Sequence, residues 1–434
     1  MNKSKSEALL ARRKDAVANG VGVFNTATVQ LAKDATIIDV DGNELIDFTG
    51  GIGVINAGHC PQPVIDAIID QAQKYIHTSF NVVTYEPYIA LCEKLNSLFP
   101  HGGKAKTMLV NTGAEAVENA IKIAKQATGR NAVICYSGAF HGRTLMAMTL
   151  TSRTSYGAGC GPFAPEVYRV DYPDFYKNGA GKTQEAFVIN ELNKLEEYFE
   201  THVRHQDVAA IIIELVQGEG GFTVAPKSYI KGLREVCDKY GIVLIFDEVQ
   251  TGFGRTAAWG ASAHFDVQPD ISTWAKSMGS GLPIGAVVGK QEIMDSAGAG
   301  TIGGTYIGNP LACAASLATI KYMEDINLND KAKKVGEIVR NRFEILKAKH
   351  AAIGEVRGLG AMIAMEFVKN SDPQQPDYDL CNKLIKACAE RGLIVIAAGV
   401  HKNVLRILVP LVISEELLNK GLDIIAGELE KLSA

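Results

Sequence analysis

Residues 241–281 read GIVLIFDEVQTGFGRTAAWGASAHFDVQPDISTWAKSMGSG, and this stretch decides the fold. Two short apolar runs within it, Ile242–Phe246 and Ile271–Trp274, are each followed by polar and glycine-rich residues, as buried parallel strands usually are. Asp247 follows the first run, and Lys276 follows the second. Because ligands bind outside the carboxyl ends of the strands in such sheets, we expect this carboxylate and this amine to face one crevice.

The same alternation of strand and helix patterns extends over most of the chain. Between about residues 106 and 289, apolar runs of strand length alternate with amphipathic helical segments, which predicts an α/β domain with a mostly parallel sheet. After about residue 325 the pattern changes to mixed helices and strands, where Val356–Phe367 reads as one strand. Near the N-terminus, a turn at Asp41 and Gly42 separates two strands and predicts a hairpin.

The composition argues against several classes of protein. The 434 residues exceed one ordinary domain, and a hydrophobic content of 47% with 21% charged residues is typical of a soluble globular protein. The net charge of −4 disfavours nucleic-acid binding. Apolar runs are too short to span a membrane, and the N-terminus lacks the apolar core of a secretory signal. Eight scattered cysteines without CxxC spacing indicate reduced thiols and a cytoplasmic location. The nine histidines are also scattered and lack the spacing of metal ligands, so no metal site is predicted.

Further strand ends carry residues that suit the binding of anions. The segment NTGAEA at 111–116 lies between a strand and a helix, where free N–H groups and the helix dipole attract a phosphate. After the next strand, Phe140 is placed to stack on a planar ring and Arg143 to bind a carboxylate. Arg406 lies within an apolar strand, so its guanidinium needs an anionic partner or a site to face. Taken alone, Phe140 also fits a core position and Arg143 a surface charge.

Taken together and in order, these motifs resemble the class III aminotransferases, which are fold-type I enzymes that use pyridoxal phosphate. The segments that carry the resemblance are FTGGIGVINAGH (48–59), NTGAEA (111–116), FHGRT (140–144), VQGEGG (216–221), DEVQTGFGRT (247–256), AKSMGSG (275–281), GGTYIGNP (303–310) and NVLRILVPL (403–411). They cover nearly the whole chain. Within the family, the group that acts on 4-aminobutyrate is the most similar.

The resemblance implies a fold and a catalytic pair. The fold is a large domain over residues 61–324 with a mostly parallel seven-stranded sheet, and a smaller α+β domain over residues 325–434 with which residues 1–60 pack. Lys276 forms the Schiff base with the cofactor, and Asp247 pairs with the pyridine nitrogen. A desolvated lysine readily becomes a nucleophilic amine, and a carboxylate at the ring nitrogen makes the ring an electron sink.

The resemblance also assigns residues around the cofactor. Gly113 and Ala114 hold its phosphate, Phe140 and Val249 pack on its ring, and Gln250 binds its phenolic oxygen. In the family, the residue at Thr305 contacts the phosphate of the cofactor in the partner subunit. A homodimer is therefore expected, and pairing of dimers into a homotetramer is left open.

The residues implied for substrate binding are Ile52, Asn81, Arg143, Glu214, Glu219 and Arg406. Arg143 binds the carboxylate of 4-aminobutyrate, and Arg406 binds the α-carboxylate of glutamate or 2-oxoglutarate. Glu214 pairs with Arg406 when an ω-amine is bound, while Glu219 lines the entrance. The chain departs from the common pattern at three positions, namely asparagine for glutamine at 81, alanine for serine at 114 and leucine for proline at 215.

The predicted reaction is transamination of 4-aminobutyrate with 2-oxoglutarate to give succinate semialdehyde and glutamate. The same chemistry on 5-aminovalerate, ornithine, β-alanine or taurine is the first alternative. An amino-acid racemase or epimerase of the same fold is the second. A non-enzymatic protein that binds pyridoxal phosphate is the third, and the presence of Lys276, Asp247 and Arg143 disfavours it.

Overall fold

A computed structural model describes residues 3–433. Its largest sheet has seven strands, six of which run in one direction. In spatial order they are Ala105–Val110, Gly285–Lys290, Ile271–Trp274, Val243–Asp247, Val208–Ile213, Ala132–Tyr136 and Val167–Val170. Only Gly285–Lys290 is antiparallel, and it pairs with both of its neighbours in that sense. The predicted seven-stranded, mostly parallel sheet is therefore confirmed.

Both faces of this sheet are buried, and the alternation of side chains along each strand explains how. In Val243–Asp247, Val243 and Ile245 enter one core together with the helix Gly113–Thr128, whereas Leu244 and Phe246 enter a second core with the helices Gln184–Thr201 and Lys227–Tyr240. Helices on both faces explain why the strands read as continuous apolar runs.

The longer helices lie where the sequence predicts them, with ends that differ by a few residues. They are Ser4–Ala16, Gln62–Lys74, Glu86–Leu98, Gly113–Thr128, Gln184–Thr201, Lys227–Tyr240, Pro310–Asp325, Leu328–Lys349, Tyr378–Glu390 and Glu415–Ser433. Shorter helical turns are Gly50–Gly53, Leu145–Leu150, Thr154–Gly157, Phe175–Asn178, His205–Asp207, Ala261–His264, Lys276–Gly279 and Gln291–Met294. Across residues 3–433, no helix has the length and apolar character needed to cross a membrane.

Two four-stranded sheets complete the fold. One consists of Leu31–Lys33, Thr36–Ile38, Glu44–Asp47 and Leu393–Ile394, and the other of Ile353–Leu359, Met362–Phe367, Val404–Ile407 and Ile396–Ala398. In the first sheet, Ile46 of the N-terminal hairpin pairs in parallel with Leu393. The hairpin thus shares a sheet with the C-terminal part of the chain, as predicted, while the three domain boundaries stay a prediction.

One predicted strand is wrong. Val356–Phe367 is not a single strand, because the chain reverses within it and forms an antiparallel hairpin between Ile353–Leu359 and Met362–Phe367. Gly360 occupies the turn with a φ of 54°, a left-handed conformation that glycine adopts without steric cost. Because apolar residues flank this turn on both sides, the hydrophobic pattern of the sequence does not reveal it.

Candidate active site

A cavity of about 580 Å³ opens at the carboxyl ends of the central strands. Loops that follow five strands of the large sheet contribute to its wall, as expected for a parallel sheet. Ten of the predicted site residues line it, namely Gly113, Ala114, Phe140, Arg143, Glu214, Glu219, Asp247, Val249, Gln250 and Lys276. The structure thus brings most of the predicted site together in one crevice.

Asp247 ends a buried strand and is held by three donors. Its Oδ1 accepts hydrogen bonds from Thr273 Oγ1 at 3.0 Å and from the Val249 N–H at 3.1 Å. Its Oδ2 lies 2.7 Å from Nδ1 of His141. The carboxylate is only 5% exposed, so these contacts fix its direction toward the cavity wall.

Neither His141 nor Thr273 is among the residues predicted for the site. His141 is the second residue of the FHGRT segment, and that position was the available signal. Thr273 is the register partner of Asp247 on the neighbouring strand, and only the strand pairing reveals it. Both residues orient the carboxylate.

Lys276 begins a short helical turn directly after the strand Ile271–Trp274 and has a φ of 49°. Burial lowers the pKa of its ammonium to about 8, although the negative charge of Glu219 opposes the shift. An amine with this pKa is partly deprotonated near neutral pH and is available as a nucleophile or a base.

The wall near the helix Gly113–Thr128 has the features of a phosphate site. Thr112 caps this helix by accepting the Glu115 N–H, so the N–H groups of Gly113 and Ala114 have no partner within the helix. A Cβ on Gly142 would lie 2.7 Å from the Cβ of Ala114. Small residues therefore let two loops approach closely beside a positive helix end.

These residues fit pyridoxal phosphate. The helix start suits its phosphate, Asp247 suits its ring nitrogen, and Lys276 offers an amine. Gln250 adds an amide whose Oε1 is buried without a hydrogen-bond partner in the described chain and which lines the same cavity. When bound, the cofactor supplies a ring that withdraws electrons from the substrate.

The predicted pairing of Glu214 with Arg406 is wrong. Nη1 of Arg406 lies 2.6 Å from Oε1 of Glu219, which makes Glu219 the partner of this buried guanidinium. Glu214 instead accepts two backbone N–H groups at 3.0 Å each, from Phe140 and from Gly218. Both glutamates lie on one loop. Glu219 follows Glu214 by five residues, and the loop turns between them, so that Glu219 lies next to Arg406.

Glu214 therefore joins two walls of the cavity rather than masking an arginine. One wall carries Phe140, and the other carries the loop at 217–222 that bears Glu219. Burial raises the pKa of Glu214 to about 7. Its carboxylate accepts both N–H groups fully only when it is ionised.

The C-terminal part of the chain holds the same loop from the other side. Nε of Arg357 donates to the Gly221 carbonyl at 2.8 Å, and the Gly399 N–H donates to the Glu219 carbonyl at 2.9 Å. Arg357, in the strand Ile353–Leu359, was not predicted as a residue of the site. The loop is thus fixed between two parts of the molecule.

Four predicted residues do not line this cavity, and one of them, Arg406, is the partner of Glu219. Ile52 is half-buried with a φ of 65° and packs near Leu408. Asn81 and Thr305 are exposed. They belong to neighbouring segments, since a Cβ on Gly303 would lie 3.1 Å from Nδ2 of Asn81. Their predicted roles at the site stay predictions.

Comparison with known proteins agrees with this geometry. The family model Aminotransferase class-III matches residues 16–429. A 5-aminovalerate aminotransferase of Pseudomonas putida is 46% identical over 97% of both chains, and a 4-aminobutyrate aminotransferase of Escherichia coli is 42% identical over 98% of both. A solved (S)-enantioselective omega-transaminase from Thermomicrobium roseum has a TM-score of 0.92 at 29% identity and 99% coverage of both chains. The chain therefore belongs to the class III aminotransferases, and pyridoxal phosphate is its cofactor.

Proposed function

We propose that the enzyme transfers the amino group of 4-aminobutyrate to 2-oxoglutarate, giving succinate semialdehyde and glutamate. The observation that carries this proposal is the unequal state of two arginines at the site. Arg406 is neutralised by Glu219 at 2.6 Å, whereas Arg143 lines the cavity and forms no ion pair within residues 3–433. One free guanidinium matches a substrate with one carboxylate.

The second substrate carries two carboxylates and needs a second cation. Displacement of Glu219, which lines the cavity, would expose Arg406 behind it and supply this cation. A buried guanidinium must not be left without an anion, so the substrate carboxylate replaces the glutamate when it binds. This exchange lets one site accept a one-carboxylate amine and a two-carboxylate keto acid in turn.

Five residues of the chain have separate roles in the reaction. Lys276 takes the proton from the amine-bearing carbon of the substrate as a general base and then returns it. Asp247 keeps the ring nitrogen of the cofactor protonated. Phe140 and Val249, which line the cavity, would pack against the ring, and Gln250 would bind its phenolic oxygen.

A second candidate substrate is 5-aminovalerate. Two relatives named as 5-aminovalerate aminotransferases are 46% and 44% identical to this chain. Asn81 is one methylene shorter than the glutamine common in the 4-aminobutyrate group, and in the proposed dimer this would leave space for a longer substrate chain in the cavity of the partner subunit. A single methylene is worth only about 1–3 kcal/mol of discrimination, so both amines are within reach of one site.

We also propose that the enzyme is a homodimer in the cytoplasm. Ile76, Val82 and Tyr306 are 56%, 79% and 64% exposed, and they lie beside the segments that carry Asn81 and Thr305. Such an apolar patch is typical of a protein interface. A partner subunit there would bring Thr305 to a second cavity. All eight cysteines are free thiols, which suits a reducing compartment.

The test is the absorbance of the enzyme loaded with pyridoxal phosphate, recorded before and after single amines are added without a keto acid. If 4-aminobutyrate changes the cofactor spectrum and 2-oxoglutarate restores it, both half-reactions are established. A response to 5-aminovalerate but not to 4-aminobutyrate would move the assignment to the longer amine. No response to any ω-amine, with racemisation of an amino acid instead, would overturn the proposal.

A further inference from the structure

Tyr156 lies beside Phe140 and Arg143, which line the active-site cavity, and three side chains surround its ring. The Phe140 ring meets it edge-on, with centroids 5.2 Å apart and planes inclined by 70°. The guanidinium carbons of Arg143 and Arg153 lie 5.9 Å and 5.5 Å from its centroid. The ring therefore holds two cations beside the aromatic residue that is predicted to cover the cofactor.

Neither guanidinium is neutralised. Within residues 3–433, Arg143 and Arg153 form no ion pair, and their side chains donate no hydrogen bond. The buried arginines nearby differ in this respect, since Arg406 pairs with Glu219 and Arg357 with Glu366. Two unpaired guanidiniums around one ring form a surface ready to accept a carboxylate.

The two arginines differ in their distance from the reacting amine. Arg143 lines the cavity that contains Lys276, whereas Arg153 does not line it. The charge of Arg153 nevertheless reaches the site. Burial raises the pKa of Glu219, but Arg406 first, and then Lys276 and Arg153, outweigh this effect and hold that pKa below its ordinary value. Arg153 is thus an outer cation next to an inner one.

We propose that Arg153 is a specificity-determining residue that extends the carboxylate site of Arg143 outward around Tyr156, and so adds to the binding of five-carbon ω-amino acids but not to that of four-carbon ones. The inference rests on the proposed function. With the amine held at Lys276, each added methylene moves the carboxylate of the substrate farther out. The shorter acid reaches Arg143 alone, whereas the longer acid reaches the space between both guanidiniums.

The decisive variant is Arg153→Met, which keeps the length of the side chain and removes its charge. Arg153→Lys is the matched control that retains a cation, and Arg153→Gln is the second neutral variant. The kcat/KM of the amine half-reaction is measured with 5-aminovalerate, with 4-aminobutyrate and with pentylamine, which has the same chain length but no carboxylate. The Kd of pentanoate, measured by calorimetry, reports carboxylate binding without turnover.

We expect both neutral variants to lower kcat/KM for 5-aminovalerate by about fivefold to tenfold, as for loss of a partly exposed ion pair. The Kd of pentanoate should rise by a similar factor. The values for 4-aminobutyrate and pentylamine should stay within about twofold, and Arg153→Lys should retain most of the wild-type activity.

Two results overturn the inference alone. One is a wild-type enzyme that converts both ω-amino acids while Arg153→Met matches it with each. The other is an equal loss with pentylamine, because that pattern shows a structural role for Arg153. A wild-type enzyme that converts neither ω-amino acid overturns the proposed function as well, and the wild-type measurement therefore separates the two failures.

Discussion

At the scale of single residues, the site depends on side chains whose freedom has been removed. Asp247 accepts hydrogen bonds from Thr273 and the Val249 N–H and contacts His141. Glu214 accepts two backbone N–H groups. A group fixed in this way needs little reorganisation when charge develops next to it, which is how preorganised sites lower barriers. The pH dependence of two of the site's groups, Lys276 and Glu214, provides a way to measure this organisation.

The first prediction concerns the pH at which Lys276 becomes reactive. Because burial lowers its pKa to about 8, the amine is mostly protonated below that pH and mostly free above it. The rate at which the cofactor-free enzyme captures pyridoxal phosphate should rise with pH around a midpoint near 8. Stopped-flow absorbance measures this rate. Lys276→Ala is the control that shows no covalent capture after borohydride reduction, and a midpoint near that of an exposed lysine would contradict the prediction.

The second prediction concerns Glu214→Gln. The amide offers one acceptor where the carboxylate offered two, so one backbone N–H loses its bond and the free energy of unfolding should fall by about 1–3 kcal/mol. The wild-type kcat/KM should decline as pH falls through about 7, where Glu214 gains a proton. The variant should lack this acid limb.

Chemical denaturation and a pH profile check both effects of Glu214→Gln. Glu118→Gln is the matched control, because Oε1 of Glu118 accepts the Met146 and Ala147 N–H groups at 2.9 Å and 3.2 Å outside the cavity. An acid limb that persists in Glu214→Gln, or disappears equally in the control, would assign it to another group.

At the scale of elements, the hairpin at 353–367 shows what a sequence reveals and what it hides. The alternating strands and helices were predictable, because the spacing of apolar residues along each segment matches the period of its secondary structure. The turn at Gly360 was not, because its position depends on contact with other elements. There, the Ala361 N–H donates to the Arg255 carbonyl, and Gly336 of the helix Leu328–Lys349 packs against the turn.

The third prediction compares two helical glycines. A Cβ on Gly336 would lie 1.9 Å from the backbone oxygen of Gly360, which cannot move aside without shifting the hairpin. Gly336→Ala should therefore destabilise the enzyme by at least about 2 kcal/mol. Gly427→Ala, in the final helix, meets nothing within 4 Å and should stabilise it by about 0.5–1 kcal/mol. Thermal unfolding of the cofactor-free proteins measures both, and equal melting temperatures would contradict the assignment of the close contact.

At the scale of the whole molecule, most of the fold and most of the cavity followed from sequence. Ten predicted site residues line one cavity because strand ends in a parallel sheet converge. The exceptions need information that a linear pattern lacks. Sequence spacing does not reveal which of two glutamates on one loop reaches Arg406, and it does not place Asn81 or Thr305 against a second subunit.

The fourth prediction tests the proposed homodimer. Val82 is 79% exposed within the apolar patch, so Val82→Glu places a charge in the proposed interface, where desolvation makes it costly. The variant should be monomeric by light scattering and should bind pyridoxal phosphate more weakly. Ile189→Glu is the control, since Ile189 is 60% exposed on a helix outside the patch. A dimeric Val82→Glu enzyme, or an equal effect of both charges, would remove the patch from the interface.

The pairing of Glu44–Asp47 with Leu393–Ile394 has a consequence for biosynthesis. The strand Glu44–Asp47 emerges from the ribosome long before its partner is translated, so its edge stays open until residues 393–394 have been made. Arg406, which pairs with Glu219 on the loop at 217–222, emerges still later. A nascent chain therefore presents Lys276 and Asp247 without a finished pocket, and we expect productive loading with pyridoxal phosphate only after residue 406 has been made. Translational arrest before residue 393 should consequently yield protein that aggregates rather than partly active enzyme.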